Sequence, residues 1–216
     1  MISTSIKQNE TMKRHFILIG FMLMASMSNA QETAGEFIKR VINQLNSHQN
    51  YEITFDYEVG NSVTTVSEKE SGKATLQGEA YKLEIADQQI ISDGKTLWTY
   101  LIEDEEVMVG NATDESLITP IKMLTTYDKN YSMKYVKQAA KGKKCVEMLN
   151  PQGEFKRITL TIDEKKLEIE KAKIELQSGD EMVVTINSYS YDKKLNANFF
   201  IFNEKEHKNV DVIDMR

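Results

Sequence analysis

The first patterned stretch of the chain has the apolar spacing of an amphipathic helix. In Thr33–Asn46 the apolar residues recur at intervals of three and four, so they form one stripe along a helix. Thr33, followed by Glu36 three residues later, is the capping-box pattern with which a helix begins. The stretch predicts one helix with a single apolar face, made of Phe37, Ile38, Val41, Ile42 and Leu45.

From Tyr51 onward the apolar residues alternate with polar ones, which is the period of a strand with one buried face. Turn sequences such as Asp93-Gly94 and Asn150–Gly153 separate the alternating runs. The pattern predicts a meandering antiparallel sheet of about ten or eleven strands, the last containing Phe199–Phe202. The runs are Tyr51–Val59, Ala74–Leu76, Tyr81–Ile85, the two flanks of Asp93-Gly94, Val107–Val109, Ile158–Ile162, Leu167–Ile169, Ile174–Leu176 and Met182–Ile186.

One segment interrupts the alternation. Thr113–Asp128 carries Leu117, Ile121 and Leu124 near helical spacing, and Pro120 breaks or kinks that helix. A sheet of this many strands curls, and about eight strands already enclose room for a small ligand. Two interiors fit this pattern equally well: an apolar cavity covered by the helical pieces, or a filled core.

The only tryptophan of the chain, Trp98, follows closely after the Asp93-Gly94 turn. That residue pair predicts a tight type I′ turn between two strands. We expect the Trp98 side chain to line the interior enclosed by the curled sheet and to pack against the helical pieces. The alternative is that Leu97 and Thr99 face the interior instead.

The N-terminal residues have the composition of a secretory signal peptide. Lys13–His15 is basic, and Phe16–Ala25 is apolar but shorter than the about 20 residues that a spanning helix needs. Small residues at Ser28 and Ala30 suit cleavage before Gln31. The pattern predicts a cleaved segment 1–30 and a single exported domain of residues 31–216; the alternative is an uncleaved membrane anchor.

The net charge disfavours some classes of partner, and the cysteine content disfavours some covalent modifications. The formal net charge is −6 at pH 7, and removal of residues 1–30 would make the chain more acidic still. An acidic protein repels phosphate backbones and anionic bilayers, so we expect neither a nucleic-acid partner nor permanent adsorption to a membrane. Cys145 is the only cysteine, which excludes an internal disulfide. No cysteine follows the cleavage point, so the chain is not expected to be a lipoprotein itself.

The residue types that catalysis and metal binding require do not occur in suitable patterns. His48 and His207 are far apart and lack further ligands at metal spacing. The carboxylates of Glu103–Glu106 lack the alternation and glycine turn of a calcium loop. Asp93 is explained as a turn residue, and Cys145 as a small buried side chain. We therefore expect a protein that is not an enzyme and needs neither a metal nor a cofactor.

Ile91–Tyr100, which reads ISDGKTLWTY, resembles the signature hairpin of the outer-membrane lipoprotein carrier protein (LolA) family. The leading helix followed by Phe55 in an alternating strand is similar to the start of that family. Thr119-Pro120 resembles its helical lid, and the C-terminal stretch from Phe199 resembles its closing Phe-x-Phe, loop and Val-x-Val. The resemblance covers nearly all of residues 31–216.

This resemblance implies a fold and a function. The fold is mainly β: an unclosed antiparallel barrel of about eleven strands, covered by a helical lid over an apolar cavity. The function is that of a periplasmic carrier, which takes acylated lipoproteins from an inner-membrane ABC transporter to an outer-membrane acceptor or to the outer membrane itself. We expect the carrier to act as a monomer.

The resemblance and the strand pattern together give the candidate site residues. The predicted acyl-chain cavity is lined by strand residues of one parity, namely Phe55, Tyr57, Leu83, Ile85, Trp98 and Tyr100. The predicted lid residues are Phe37, Val41, Leu117, Ile121 and Leu124. The alternative for each residue is plain core packing.

One departure from the family pattern concerns how the lid is held closed. Family members often carry a basic residue and a proline at the turn into the Tyr81–Ile85 strand, whereas this chain has Gly78–Ala80 there. The latch is therefore absent or moved, with Lys73 and Lys82 as candidates. A second function also fits the sequence: a periplasmic module of similar fold that senses lipids or lipoproteins and docks on a membrane partner. Such sensors usually carry a further domain, which disfavours it.

Overall fold

In the residues that the structure describes, the fold is a long β-sheet with one α-helix on one of its faces. A computed structural model describes residues 31–61, 69–112, 131–137, 140–153, 155–207 and 209–216. Residues Thr33–Arg216 form one compact unit. The described elements are α1 (Ala34–Asn46), β1 (Tyr51–Asn61), β2 (Lys69–Gln77), β3 (Ala80–Ile85), β4 (Gln88–Ser92), β5 (Thr96–Leu101), β6 (Glu106–Asn111), β7 (Ser132–Val136), β8 (Lys143–Leu149), β9 (Phe155–Asp163), β10 (Glu168–Leu176), β11 (Asp180–Tyr191), a 3-10 turn at Glu204–Glu206, and β12 (Asp211–Asp214).

The predicted helix is confirmed, and so is its capping box. The backbone N of Glu36 donates to Thr33 Oγ1 at 3.2 Å, and the backbone N of Thr33 donates to Glu36 Oε2 at 2.8 Å. These bonds satisfy two amide groups that the first turn of a helix would otherwise leave without partners. The predicted helical insertion at Thr113–Asp128 and the predicted signal segment lie outside the described residues.

The sheet is open and almost wholly antiparallel. Its strand order is β12-β6-β5-β4-β3-β2-β1-β11-β10-β9-β8-β7, so β12 and β7 form the two edges. Among the described strands, only β12 pairs in parallel, alongside β6. The prediction of a mainly β, unclosed antiparallel barrel is confirmed, with twelve strands in the described residues.

The last strand was predicted in the wrong place. Phe199–Phe202 forms consecutive turns, in which the backbone N of Phe199 donates to Asn196 O at 3.2 Å. The chain then continues to β12. The aromatic run resembles a strand because it is apolar, but Phe202 is buried by packing across the sheet, with its ring centroid 5.3 Å from that of Tyr100.

The pairing register divides the sheet into two faces. Residues directly opposite each other in antiparallel strands point to the same side. Ile53, Ala74, Leu83, Ile90 and Thr99 therefore share one face, which we call the inner face because its buried residues form one cluster with those of α1. The neighbouring row, Thr54, Lys73, Glu84, Gln89 and Tyr100, lies on the opposite, outer face.

The C-terminal segment packs on the outer face of β4–β6. Phe202 is buried there with Ile91, Tyr100 and Val107, and Trp98 packs against this second cluster. The ring of His207 stacks on that of Phe202 with centroids 4.9 Å apart. Both faces of these strands are thus covered by protein.

The Asp93-Gly94 hairpin is present, but with a different turn from the predicted one. A type I′ turn needs positive φ at both central residues. Here Gly94 has a φ of +89°, whereas Asp93 does not have a positive φ. Asp93 instead accepts the backbone N–H groups of Lys95 at 2.8 Å and Thr96 at 2.7 Å. These hydrogen bonds from the backbone to the Asp93 side chain stabilise the turn without a second residue in the left-handed conformation.

The β9–β10 turn holds Asp163 in its charged form. Its Oδ1 accepts the backbone N–H groups of Lys165 and Lys166, both at 2.9 Å, and its Oδ2 lies 3.0 Å from Lys143 Nζ. The backbone hydrogen bond from Lys166, and then the ammonium of Lys143, lower the pKa of Asp163 from 3.8 to about 2.

We expect this carboxylate to make the fold sensitive to acid. Because its pKa is lower in the folded chain, its stabilising contribution is complete above the ordinary pKa of 3.8 and is lost as the pH falls toward about 2. Asp163→Asn keeps an acceptor for the turn but cannot titrate, so its urea midpoint should fall less than that of the wild type between about pH 4 and pH 2. Asp104→Asn, in the exposed β5–β6 loop, should follow the wild type. Equal acid sensitivity of all three proteins would exclude this role.

Candidate functional site

Helix α1 covers part of the inner face with its apolar stripe. Phe37 is 0% exposed and Val41 is 1% exposed. Both belong to the cluster that also contains Leu83 of β3 and Val146 of β8. Phe37 and Val41, two of the predicted lid residues, thus pack against the inner face, while Leu117, Ile121 and Leu124 lie outside the described residues.

Four of the predicted cavity residues lie together on the inner face. Phe55 and Leu83 are buried, and Tyr57 and Ile85 are half-buried against the same cluster. The ring of Phe55 lies over Gly72, where an added Cβ would be 2.5 Å from Phe55 Cζ. Glycine at this position allows the aromatic ring to lie flat on the backbone of β2.

The prediction that Trp98 and Tyr100 line the same cavity is wrong. Trp98 pairs with Ile91, and Tyr100 with Gln89, in the rows that face away from Leu83. Both aromatic side chains pack in the outer cluster beneath the C-terminal segment. Leu97 and Thr99, the alternative that the sequence left open, occupy the inner-face rows instead.

The structure also brings together a row of apolar side chains, three of them methionines, that sequence reasoning did not find. Met133, Met148, Ile158, Ile174 and Met182 are consecutive cross-strand partners on β7 to β11, and all pack in or against the inner-face cluster. Methionine is unbranched and polarisable, so it adapts to ligands of varied shape. The six methionines after residue 30 looked ordinary as a count, because only the register places three of them in one row.

The inner face has an apolar rim at the ends of β1, β3, β10 and β11 that extend beyond the buried cluster. We define this rim by Tyr57, Val59, Ile85, Leu176 and Met182. Val59 is 48% exposed and pairs directly with Met182, which is half-buried. The other three rim residues are half-buried against the cluster. The rim therefore joins the buried apolar interior to a surface that solvent can reach.

The polar group at this rim stays neutral. The Tyr57 hydroxyl donates to a carboxylate oxygen of Glu70. Burial, followed by the contact with Glu70, raises the pKa of Tyr57 to about 12. The rim therefore carries no tyrosinate charge at neutral pH, and the hydroxyl is occupied by a protein partner.

Neither sequence candidate for the latch lies on the inner face. Lys73 and Lys82 both project to the outer face, where Lys73 Nζ lies 2.8 Å from Glu84 Oε2. A cation that does contact α1 is Lys144 of β8, with Nζ 4.4 Å from the centroid of the Phe37 ring and 5.4 Å from that of Tyr135. An ammonium over an aromatic face is attracted by the ring quadrupole, so Lys144 helps to hold α1 on the sheet.

The described residues include no group of three or more histidine, cysteine, aspartate or glutamate side chains placed to hold a metal ion. Within the same residues, no helix is both long and apolar enough to cross a bilayer.

Comparison with known proteins agrees with this fold. A protein from Thermus thermophilus, described as uncharacterized and conserved, matches with a TM-score of 0.56 and 10% identity, over 84% of this chain and 98% of that one. A domain from Vibrio parahaemolyticus, described as a putative outer membrane lipoprotein-sorting protein domain, matches with a TM-score of 0.50 and 11% identity, over 84% of this chain and 100% of that one. No curated protein matches the chain significantly.

The family model described as outer membrane lipoprotein carrier protein LolA matches residues 46–203. That range runs from the end of α1 to the residue after the buried Phe202, and it contains eleven of the twelve strands in the described residues. It covers well over half of the 216 residues. The chain therefore belongs to the LolA family of outer membrane lipoprotein carrier proteins.

Proposed function

We propose that this protein is a periplasmic carrier, which holds the acyl chains of lipoproteins on its inner face and takes them from the inner to the outer membrane. The observation that carries the proposal is the apolar inner-face cluster, which contains the methionine row and reaches the solvent-exposed Val59 at the rim. Membership of the LolA family supports the class of cargo.

Physical chemistry explains why such a surface suits a carrier. Each buried CH₂ group of an acyl chain stabilises membrane binding by about 0.8 kcal/mol, so a lipoprotein with two or three long chains does not leave a bilayer unaided. A carrier has to replace most of that burial and still release its cargo. Adaptable side chains such as Met148 and Met182 provide apolar contact without a rigid fit, which favours adequate rather than tight binding.

A release assay tests this function. The protein, expressed as the full chain and purified in its processed form, would be incubated with inner-membrane vesicles, a labelled lipoprotein, its ABC transporter and ATP. Native mass spectrometry of the soluble fraction should find a one-to-one complex. A cargo whose acylated cysteine is replaced by serine should give no such complex. If the acylated cargo stayed in the membrane while the transporter hydrolysed ATP, the shuttle function would be excluded.

A further inference from the structure

A second candidate binding site lies on the other face of the sheet. It is a cleft of about 400 Å³ between strands β3–β4 and the C-terminal segment 196–207. Lys82 and Ile91, which line it, are cross-strand partners in a row that faces away from Leu83. The sheet therefore separates this cleft from the inner face.

One side of the cleft is apolar and aromatic. Ile91 comes from the sheet, whereas Phe199 and Phe202 come from the C-terminal segment. Phe202 is fixed by its contact with Tyr100, and the rings of Phe199 and Phe200 meet edge-on at 5.0 Å. The volume is within the usual range of about 300–1,000 Å³ for small-ligand pockets. An apolar or aromatic group of a few carbon atoms fits such a wall.

Two asparagines of the cleft have their side-chain oxygens engaged by backbone N–H groups. Asn196 Oδ1 already accepts the backbone N–H of Asn198 at 3.1 Å, and Asn203 Oδ1 accepts that of Lys205 at 3.3 Å. Asn203 Nδ2 also donates to Glu206 Oε1 at 2.6 Å, which holds the Glu206 carboxylate beside Asn203. The side-chain NH₂ group of Asn196 remains available to a ligand, because the described residues give it no acceptor. The cleft therefore favours a ligand that accepts hydrogen bonds.

Lys82 adds a positive charge that is only partly compensated. Its Nζ lies 4.0 Å from Glu84 Oε1, beyond hydrogen-bond distance, while the other oxygen of Glu84 lies 2.8 Å from Lys73 Nζ. The same Lys82 Nζ is 5.8 Å from the centroid of the Phe199 ring. An ammonium beside an aromatic wall matches a ligand with a negative group on an apolar body.

We propose that this cleft binds a carboxylate attached to a short apolar or aromatic group, with the carboxylate at Lys82 and the apolar group against Ile91, Phe199 and Phe202. The site is distinct from the proposed acyl-chain surface and does not depend on it. Two sources present this chemistry: a free small organic acid, and the C-terminal carboxylate of a peptide that ends in an apolar residue.

The single tryptophan makes the test direct. Trp98 packs against the cluster that contains Ile91 and Phe202, so filling the cleft should change its fluorescence. The processed protein would be titrated with 3-phenylpropionate, with acetyl-Ala-Ala-Phe, and with the C-terminal amide of that peptide, each up to about 10 mM. At least one acid should saturate the signal, and the amide should bind at least about tenfold more weakly than the peptide acid if the peptide is the preferred source. Tighter binding of 3-phenylpropionate would instead assign the site to free acids.

Charge variants complete the test. Lys82→Gln should weaken binding of the preferred acid by about tenfold or more, because it removes a charge-assisted contact. Lys171→Gln makes the same change on the exposed surface of β10 and should leave binding within about twofold. Met182→Lys, at the inner-face rim, should also leave it unchanged, which separates this site from the carrier function. The proposal would be overturned if neither acid saturated the signal. It would also be overturned if Lys82→Gln and Lys171→Gln weakened binding equally.

Discussion

Replacing Val41 by aspartate should remove at least about 4 kcal/mol from the free energy of unfolding at pH 7. Val41 is 1% exposed and lies between α1 and the sheet, so the new carboxyl group would have an apolar environment. Keeping that group neutral, about three pH units above its ordinary pKa, costs about 1.36 kcal/mol per unit. The loss is a large share of the about 5–15 kcal/mol that stabilises a typical protein.

Asn43→Asp is the matched control, because Asn43 is exposed on the same helix and the substitution introduces the same carboxyl group, in water. Urea unfolding of both variants would be followed by circular dichroism and by Trp98 fluorescence at pH 7 and pH 5. Burial raises the pKa of the new carboxyl group, so the deficit of Val41→Asp should shrink as the pH falls from 7 toward 5. A midpoint equal to that of Asn43→Asp would show that α1 does not contribute to the core.

The helix and the strands on the inner face could be predicted because each has one covered side. In α1 only one stripe is apolar, and in β1 the buried Ile53 and Phe55 alternate with the more exposed Thr54 and Asp56. In such elements the sequence alone shows which side is buried, because polar residues occupy the side that faces water.

The orientation of β5 could not be predicted in the same way. Leu97 and Thr99 are buried on the inner side, but Tyr100 is also buried, on the outer side beneath Phe202. A strand covered on both faces loses the alternation that would show its parity. The family resemblance identifies the hairpin at Trp98 correctly, yet it does not state which way the side chain points.

The methionine row and the outer cleft depend on register between distant segments. Met133 and Met182 belong to one row only through the pairings of β7 to β11. The register between β9 and β10 also shifts between Ile169 and Lys171, and again between Glu175 and Leu176. A one-residue slip would move every side chain of a strand to the other face. Local sequence patterns do not determine such shifts, so both features required the structure.

Met182→Lys should weaken acyl-chain binding by at least about tenfold while leaving the protein folded. Met182 lies half-buried at the apolar rim, next to the exposed Val59, so a lysine there can keep its ammonium in water. An acyl chain that covers the rim would have to displace or bury that charge, which makes the bound state unfavourable. Binding would be measured by titration with a fluorescent fatty acid, and folding by the thermal midpoint.

Thr185→Lys tests whether this effect belongs to the inner face or merely to an added charge. Thr185 is exposed on the same strand, and its partners Asp56 and Lys171 are on the outer face. A carrier that uses the inner face should tolerate this variant with affinity within about twofold of the wild type. If both lysine variants bound acyl chains as the wild type does, the rim would not be the entrance. Equal weakening by both variants would point to net charge as the cause, because opposite faces of one strand cannot both line the same apolar surface.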